Sequence, residues 1–173
     1  MPKTEVDELT EKTIAKGGIL AKLYFDMQSK NEEELQPLMA DLINNRLLKS
    51  VGVLYCTGAI DEPIKLAKEN VYSTNAAVTV LFNDIGAIVN AVFNFAPAGV
   101  EVLKPQGDFR IKHGDFQSLL LDLSEISVSY SKYILERVLS KEDFEKVNLD
   151  MKLRSELGRK LIGNEAEPKS AAR

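Results

Sequence analysis

The chain has 173 residues, of which 45% are hydrophobic and 28% charged, and its formal net charge is −4. This composition is typical of one globular domain with its own core, and the acidic balance disfavours a surface that follows nucleic-acid phosphates. One cysteine and one histidine exclude an internal disulfide and a Cys/His metal cluster, so we expect no metal and no cofactor. A lone cysteine also fits a reducing compartment.

The first 18 residues form a polar leader that mixes acids and bases and ends at Gly17-Gly18. They lack the apolar segment of a secretory signal. No run of eighteen apolar residues follows anywhere in the chain, as a membrane-spanning helix would require. We therefore expect a cytoplasmic protein without membrane contact.

The first predicted strand and helix follow this leader. Residues 19–28 alternate between polar and apolar, with Ile19, Ala21, Leu23, Phe25 and Met27 on one side, which predicts a half-buried strand. The next segment opens with Asn31, a good N-cap, and acids that favour the positive end of a helix dipole. Pro37 belongs in a first turn, which favours a helix start near Glu34.

Three more strands and a second helix are predicted up to Pro105. SVGVLYCTG and VYSTNAAVTVLF are strands, separated by the charged excursion AIDEPIKLAKEN. Asn83 and Asp84 are good caps for a helix that ends before Pro97, and GVEVLKP is the fourth strand. Because Pro97 disfavours helical geometry in the residue before it, Ala96 is expected to be extended.

This order predicts an α+β, ferredoxin-like βαββαβ sandwich over residues 19–112, with an antiparallel sheet and both helices on one face. Residues 113–161 are predicted to form a long C-terminal helical extension that covers the open face or pairs with another subunit, and residues 162–173 a disordered tail. Over residues 19–105 the element order resembles that of ACT domains, which sense small molecules. Those domains carry a glycine in the turn after the first strand, whereas DMQSKN contains Asp26 and no glycine.

Two groups of charged residues are candidate ligand sites. Asp26 and Glu101 fall on neighbouring strands of this topology, where paired carboxylates could do acid–base work or bind a cation. Asp61, Glu62 and Lys65 cluster in the charged excursion, together with Lys68. We favour separately hydrated carboxylates and a solvated loop, so no residue is assigned a catalytic role.

Three other residue types are weaker candidates. His113 has no second histidine and no nucleophile near it in sequence, which favours a surface or near-cap role. Cys56 lies in an apolar strand, which favours a small buried hydrophobe. Tyr24 with Tyr72 could stack RNA bases on an open sheet face, but no glycine-aromatic RNA-binding motif accompanies them.

The distal part of the long helix is a candidate interface, with Tyr130, Tyr133, Ile134 and Val138 at helical spacing. The leading hypothesis is a non-enzymatic binding or regulatory domain that forms a homodimer through its C-terminal helices and binds a small molecule or a protein. Two alternatives stay open: an enzyme with a carboxylate site at Asp26, Glu101 or Asp61 and Glu62, and an RNA-binding module. Ser127, Ser129 and Ser131 leave the continuity of the long helix open.

Overall fold

A computed structural model describes residues 4–66, 70–107 and 109–165. The chain divides into two compact units, residues 1–122 and residues 123–173. The first unit contains helices α1 (Glu5–Ala15), α2 (Glu32–Asp41) and α3 (Ile85–Phe95), and a π-helix at Leu42–Leu47 directly after α2. Its strands are β1 (Ile19–Ser29), β2 (Val53–Ile60), β3 (Ile64–Leu66), β4 (Val71–Phe82) and β5 (Gly99–Lys104). Helix α4 (His113–Val138) begins in the first unit, and α5 (Lys141–Glu165) lies in the second.

The five strands form one antiparallel sheet, which confirms the α+β class. The strand order is β2-β4-β1-β5, and β3 also pairs with β4. The long central pair, β1 with β4, runs in unbroken register from Ile19 opposite Phe82 to Ser29 opposite Tyr72. Strand β3 lies inside the charged excursion, for which no strand is predicted. Its three residues form too short a pattern to be recognised in the sequence.

One face of the sheet carries the core. The alternating residues of β1 place Ile19, Ala21, Leu23 and Phe25 on this face, each at most 5% exposed. They pack with Met39 and with residues of the π-helix and of α3 in a single cluster: Ile43, Leu47, Ala87, Ile88 and Ala91. This clustering follows from the period of two in β1 and the apolar stripe of α3. It also brings α2 and α3 to the same face.

The polar leader contains a helix that its composition does not predict. Helix α1 begins with a capping box, in which the Thr4 hydroxyl accepts from the Asp7 N–H and the Asp7 carboxylate accepts from the Thr4 N–H. Thr10 Oγ1 lies 3.1 Å from the hydroxyl of Tyr55. Tyr55 is opposite the fully buried Leu81, so α1 lies against one end of the sheet face that α2 and α3 leave uncovered.

Three local predictions about helix ends have different outcomes. Asn31 is the N-cap of α2, since its side chain accepts from the N–H of Glu33. Pro37 lies inside α2 and not in its first turn, so a start near Glu34 is wrong. The expected extended geometry of Ala96 is also wrong, because this residue caps α3 in the left-handed conformation with φ 43° and ψ 57°. In this conformation the N–H of Ala96 donates a hydrogen bond to the carbonyl of Val92, one of the last carbonyls of the helix.

Both C-terminal helices are long and continuous. Helix α4 begins at His113 and is unbroken to Val138, so the three serines do not interrupt it. The hydroxyl of Ser140 accepts from the N–H of Asp143 and donates to its carboxylate, as in a capping box. Helix α5 extends to Glu165, past the start of the predicted tail, and the rest of that tail lies outside the described residues. Among the described helices, none combines the length and the apolar character that crossing a membrane requires.

Candidate functional site

The candidate pair of Asp26 and Glu101 is separated in the structure, as the favoured interpretation expects. Glu101 lies opposite Lys22, and its Oε2 accepts a hydrogen bond of 3.0 Å from the hydroxyl of Tyr24. The ammonium of Lys22 is 5.3 Å from the centroid of the Tyr24 ring. Asp26 is opposite Asn75, beyond the last β1–β5 pair at Tyr24. Asp26 and Glu101 share a face, but four residues of strand, roughly 13 Å, lie between Asp26 and the position opposite Glu101.

Hydrogen bonds to the backbone of Asp61 hold the charged excursion against β4. The N–H of Asp61 donates to the carbonyl of Asn75, and the carbonyl of Asp61 accepts from Thr74 Oγ1 at 2.6 Å. The side chains of Asp61 and Glu62 are exposed. The ammonium of Lys65 lies 5.7 Å from the ring centroid of Tyr72. Lys68 lies outside the described residues, and the role of this segment in ligand binding stays a prediction.

The aromatic platform suggested for RNA is not formed. Tyr24 lies opposite Ala77, and Tyr72 opposite Ser29, in the same uninterrupted ladder. Residues directly opposite share a face and successive residues alternate. Tyr24 and Tyr72 therefore lie on opposite faces of the sheet and cannot stack consecutive bases.

Cys56 and His113 have the surroundings expected of structural residues. Cys56 packs against the core cluster, and burial raises the pKa of its thiol from 9.0 to about 11. A nucleophilic thiol needs the opposite shift. His113 is exposed and is the first residue of α4.

The candidate interface residues on α4 are all solvent-accessible. The exposed fractions are 63% for Tyr130, 52% for Tyr133, 48% for Ile134 and 75% for Val138. The guanidinium of Arg137 lies 4.5 Å from the ring centroid of Tyr133. Three- and four-residue spacings place this set on one side of the helix.

A groove between α3 and the turn that precedes β2 was not foreseen from the sequence. Its volume is about 550 Å³. The turn residues Lys49–Gly52 line one side, α3 with Asn83 and Asp84 before it lines the other, and Asp122 on α4 also lines the groove. We call it the α3 groove. The lining residues on α3 itself are Gly86, Ala87, Asn90, Ala91 and Asn94.

Backbone contacts hold the walls of the α3 groove together. Gly52 has φ 83°, and its carbonyl accepts from the N–H of Asn83 at 2.9 Å. A β-carbon at position 52 would come within 2.5 Å of Asn83 Oδ1 and of the Ala87 methyl. Position 52 therefore requires glycine for two reasons: its left-handed backbone geometry and its close approach to Asn83 and Ala87.

The groove could have been suspected from a spacing that the core pattern does not use. Asn90 and Asn94 are four residues apart on α3, which places their amides on one side of the helix, and Asn83 lies just before its N-cap. Sequence reasoning treated Asn83 and Asp84 as caps only. Asp84 is the cap, since its Oδ1 accepts from the N–H of Ala87 at 2.8 Å.

The structure defines an α+β protein built on a five-stranded antiparallel sheet, with a separate C-terminal helical unit. A family model matches residues 20–152, well over half of the chain, and the protein belongs to the MJ0538 family. The matched range runs from β1 into α5 and so includes parts of both units. The family name states no activity. No curated protein and no solved structure matches the chain.

Proposed function

We propose that the protein is a non-enzymatic binding or regulatory protein that forms a homodimer through its C-terminal helices. One observation carries the proposal: among the described side chains after Asp122, none is fully buried. Helices α4 and α5 nevertheless contain large apolar residues that are about half exposed or more, including Tyr130, Val138, Leu149 and Leu157.

Helices of this kind need a partner to be stable. Most of the stability of a helix in a protein comes from tertiary packing of its apolar face and not from helix propensity. Tyr130, Ile134 and Val138 are spaced four residues apart and form an unbroken apolar row on α4. Aromatic side chains such as Tyr130 and Tyr133 are enriched at the centres of interfaces.

A second copy of the chain is the occupant that we propose for this row. Two-fold dimers are the commonest soluble oligomers, and in a two-fold contact the same patch lies on both subunits. The row on α4 meets that requirement, because its members are all apolar or aromatic and can face themselves. Burial of such residues away from water would stabilise the dimer.

We also infer that the sheet is ferredoxin-like and that the protein is cytoplasmic. The strand order β2-β4-β1-β5 supports the first inference, because the two crossovers through α2 and α3 each skip one strand, as in a split βαβ unit. The free, half-buried thiol of Cys56 supports a reducing compartment.

The test is the solution mass of the full chain and of two matched variants, measured by light scattering over a concentration series. The double variant Ile134→Lys and Val138→Lys places two charges in the apolar row. The control, Glu125→Lys, changes the net charge equally at an exposed position on the side of α4 opposite the row.

We expect the unmodified chain and the control to be dimers and the first variant to be a monomer. The β-strand contribution to its circular dichroism spectrum should be unchanged. A monomeric unmodified chain at all concentrations would contradict the proposal. So would a dimer that persists in the first variant.

A further inference from the structure

Strand β2 has a neighbouring strand on one side only. It pairs with β4 from Val53 to Ile60, and no strand of the described residues lies along its other edge. Apart from this ladder, residues 54–60 form no backbone hydrogen bond with another described residue. An edge strand of this kind presents a row of unpaired N–H and C=O groups. The backbone of another extended segment is the group that pairs with such a row.

The residues of β2 do not protect this edge. Proteins discourage pairing at edge strands with charged side chains, proline, bulges or short length. The eight residues of β2, VLYCTGAI, include no charged residue and no proline. The strand has one irregularity, at its start between Val53 and Tyr55. Beyond it the ladder is regular, and Thr57, Gly58 and Ala59 are exposed.

The opposite edge of the same sheet is protected. Strand β5 is six residues long and carries Glu101 and Lys104. Its pairing with β1 shifts register between Leu20 and Ala21, and Pro105 follows it directly. Charges, an irregular ladder and a proline are the features that discourage strand addition. The two edges therefore differ in the property that decides whether another strand can add, and β2 is the edge open to addition.

Two acidic residues at the end of β2 define the chemistry of the partner. Asp61 and Glu62 follow the strand directly, are exposed, and form no ion pair with a described residue. The backbone of Asp61 is fixed by hydrogen bonds to Asn75 and Thr74. Because opposite charges on adjacent strands attract each other, a strand added along β2 should be neutral over most of its length. It should carry lysine or arginine at the end that meets the two acids.

We propose that the outer edge of β2 binds an extended segment of a partner protein by strand addition. The segment has uncharged, β-branched residues and a basic end beside Asp61 and Glu62. A second copy of β2 fits less well, because that strand contains no cation to meet the two acids. The inference rests on the proposed binding role, to which it gives a class of partner, and does not depend on the dimer.

The test uses the full chain and a fluorescein-labelled synthetic peptide of two lysines followed by three threonine–valine repeats. Fluorescence anisotropy should show saturable binding that weakens as salt is added. Amide hydrogen exchange should slow in residues 54–60 and stay unchanged in β5. A control peptide with proline in place of each valine keeps the charge but lacks backbone donors, and it should not bind.

Two pairs of variants locate the peptide on the protein. Thr57→Lys places a charge on the open edge and should weaken binding about tenfold, whereas Asn75→Lys, at an exposed position on β4, should not. Asp61→Asn with Glu62→Gln should weaken binding about threefold and reduce its salt dependence. The control for that charge change replaces two exposed acids of α4, Glu125→Gln with Glu136→Gln, and should leave binding unchanged.

Four outcomes would overturn the proposal: no saturable binding at millimolar peptide, equal binding of the proline peptide, equal losses in a variant and its control, or protection of β5 in place of β2. The solution mass of Thr57→Lys separates this edge from the proposed dimer, because it should equal that of the unmodified chain. A smaller mass would show that β2 joins two subunits and would overturn the proposal too. A monomeric unmodified chain that still binds the peptide would contradict the dimer alone.

Discussion

Ala96 is the residue whose backbone the structure strains most clearly. It ends α3 with φ 43° and ψ 57°, a region that costs an L-residue roughly 1–2 kcal/mol. Glycine reaches it without that cost but loses more chain entropy on folding. We expect Ala96→Gly to raise the free energy of unfolding by about 0.5–1 kcal/mol, measured by urea denaturation.

The matched control is Ala40→Gly, in the regular part of α2. There the substitution should lower the free energy of unfolding by about 0.5–1 kcal/mol. If both variants were destabilised equally, the left-handed geometry of Ala96 would not be a source of strain.

Cys56 gives a second prediction at this scale, because it is the only thiol in the chain. Its pKa is raised from 9.0 to about 11 by burial, so the thiolate that reacts with iodoacetamide is scarcer at pH 8 than in an exposed cysteine. We expect alkylation of the native protein to be about a hundredfold slower than that of the urea-unfolded chain. The native rate should keep rising up to pH 11. Equal rates in the two states would show that the thiol is accessible and its pKa normal.

At the scale of elements, the sequence predicts those segments whose own residue pattern determines their structure. The period of two in β1 and the caps of α3 are local signals, and both elements form where they indicate. Helix α1 has no comparable apolar stripe. Its fully buried residues are Thr10 and Thr13, so contacts with the sheet, and not its own hydrophobicity, hold it in place.

Gly18 tests the contact between α1 and the sheet. A β-carbon there would lie 2.7 Å from the Phe82 carbonyl oxygen and 2.9 Å from that of Thr13, and closer still to the Thr13 methyl. Backbone atoms cannot yield as a flexible side chain would, so we expect Gly18→Ala to lower the free energy of unfolding by about 1–3 kcal/mol. Urea denaturation measures it.

Gly114 provides the control, since a β-carbon there meets nothing within 4 Å. Gly114→Ala lies in the first turn of α4 and should be neutral or stabilising. If Gly18→Ala lowered the free energy of unfolding by no more than Gly114→Ala changes it, α1 would not be held closely against the sheet.

At the scale of the whole molecule, the sequence allowed the α+β class to be predicted, but not the candidate site. The α3 groove requires Gly52, Asn83 and Asp122 to meet, and these lie far apart in the chain. Asp26 and Glu101 show the same dependence on distant parts of the chain. Neighbouring strands were foreseen, but the register that places Glu101 opposite Lys22 depends on where β5 begins.

The division into two compact units predicts that the first unit folds alone. Residues 1–122 contain the sheet, every fully buried residue among those described, and the α3 groove. We expect a chain that ends at Asp122 to unfold cooperatively in urea, at a midpoint that does not depend on protein concentration. In the full chain, the helical signal from residues beyond Asp122 should be lost at a midpoint that rises with concentration, because dimer formation stabilises those helices by mass action. A shortened chain that fails to fold would show that the sheet depends on the C-terminal helices. A helical signal in the full chain that is independent of concentration would show that those helices are stable within one subunit.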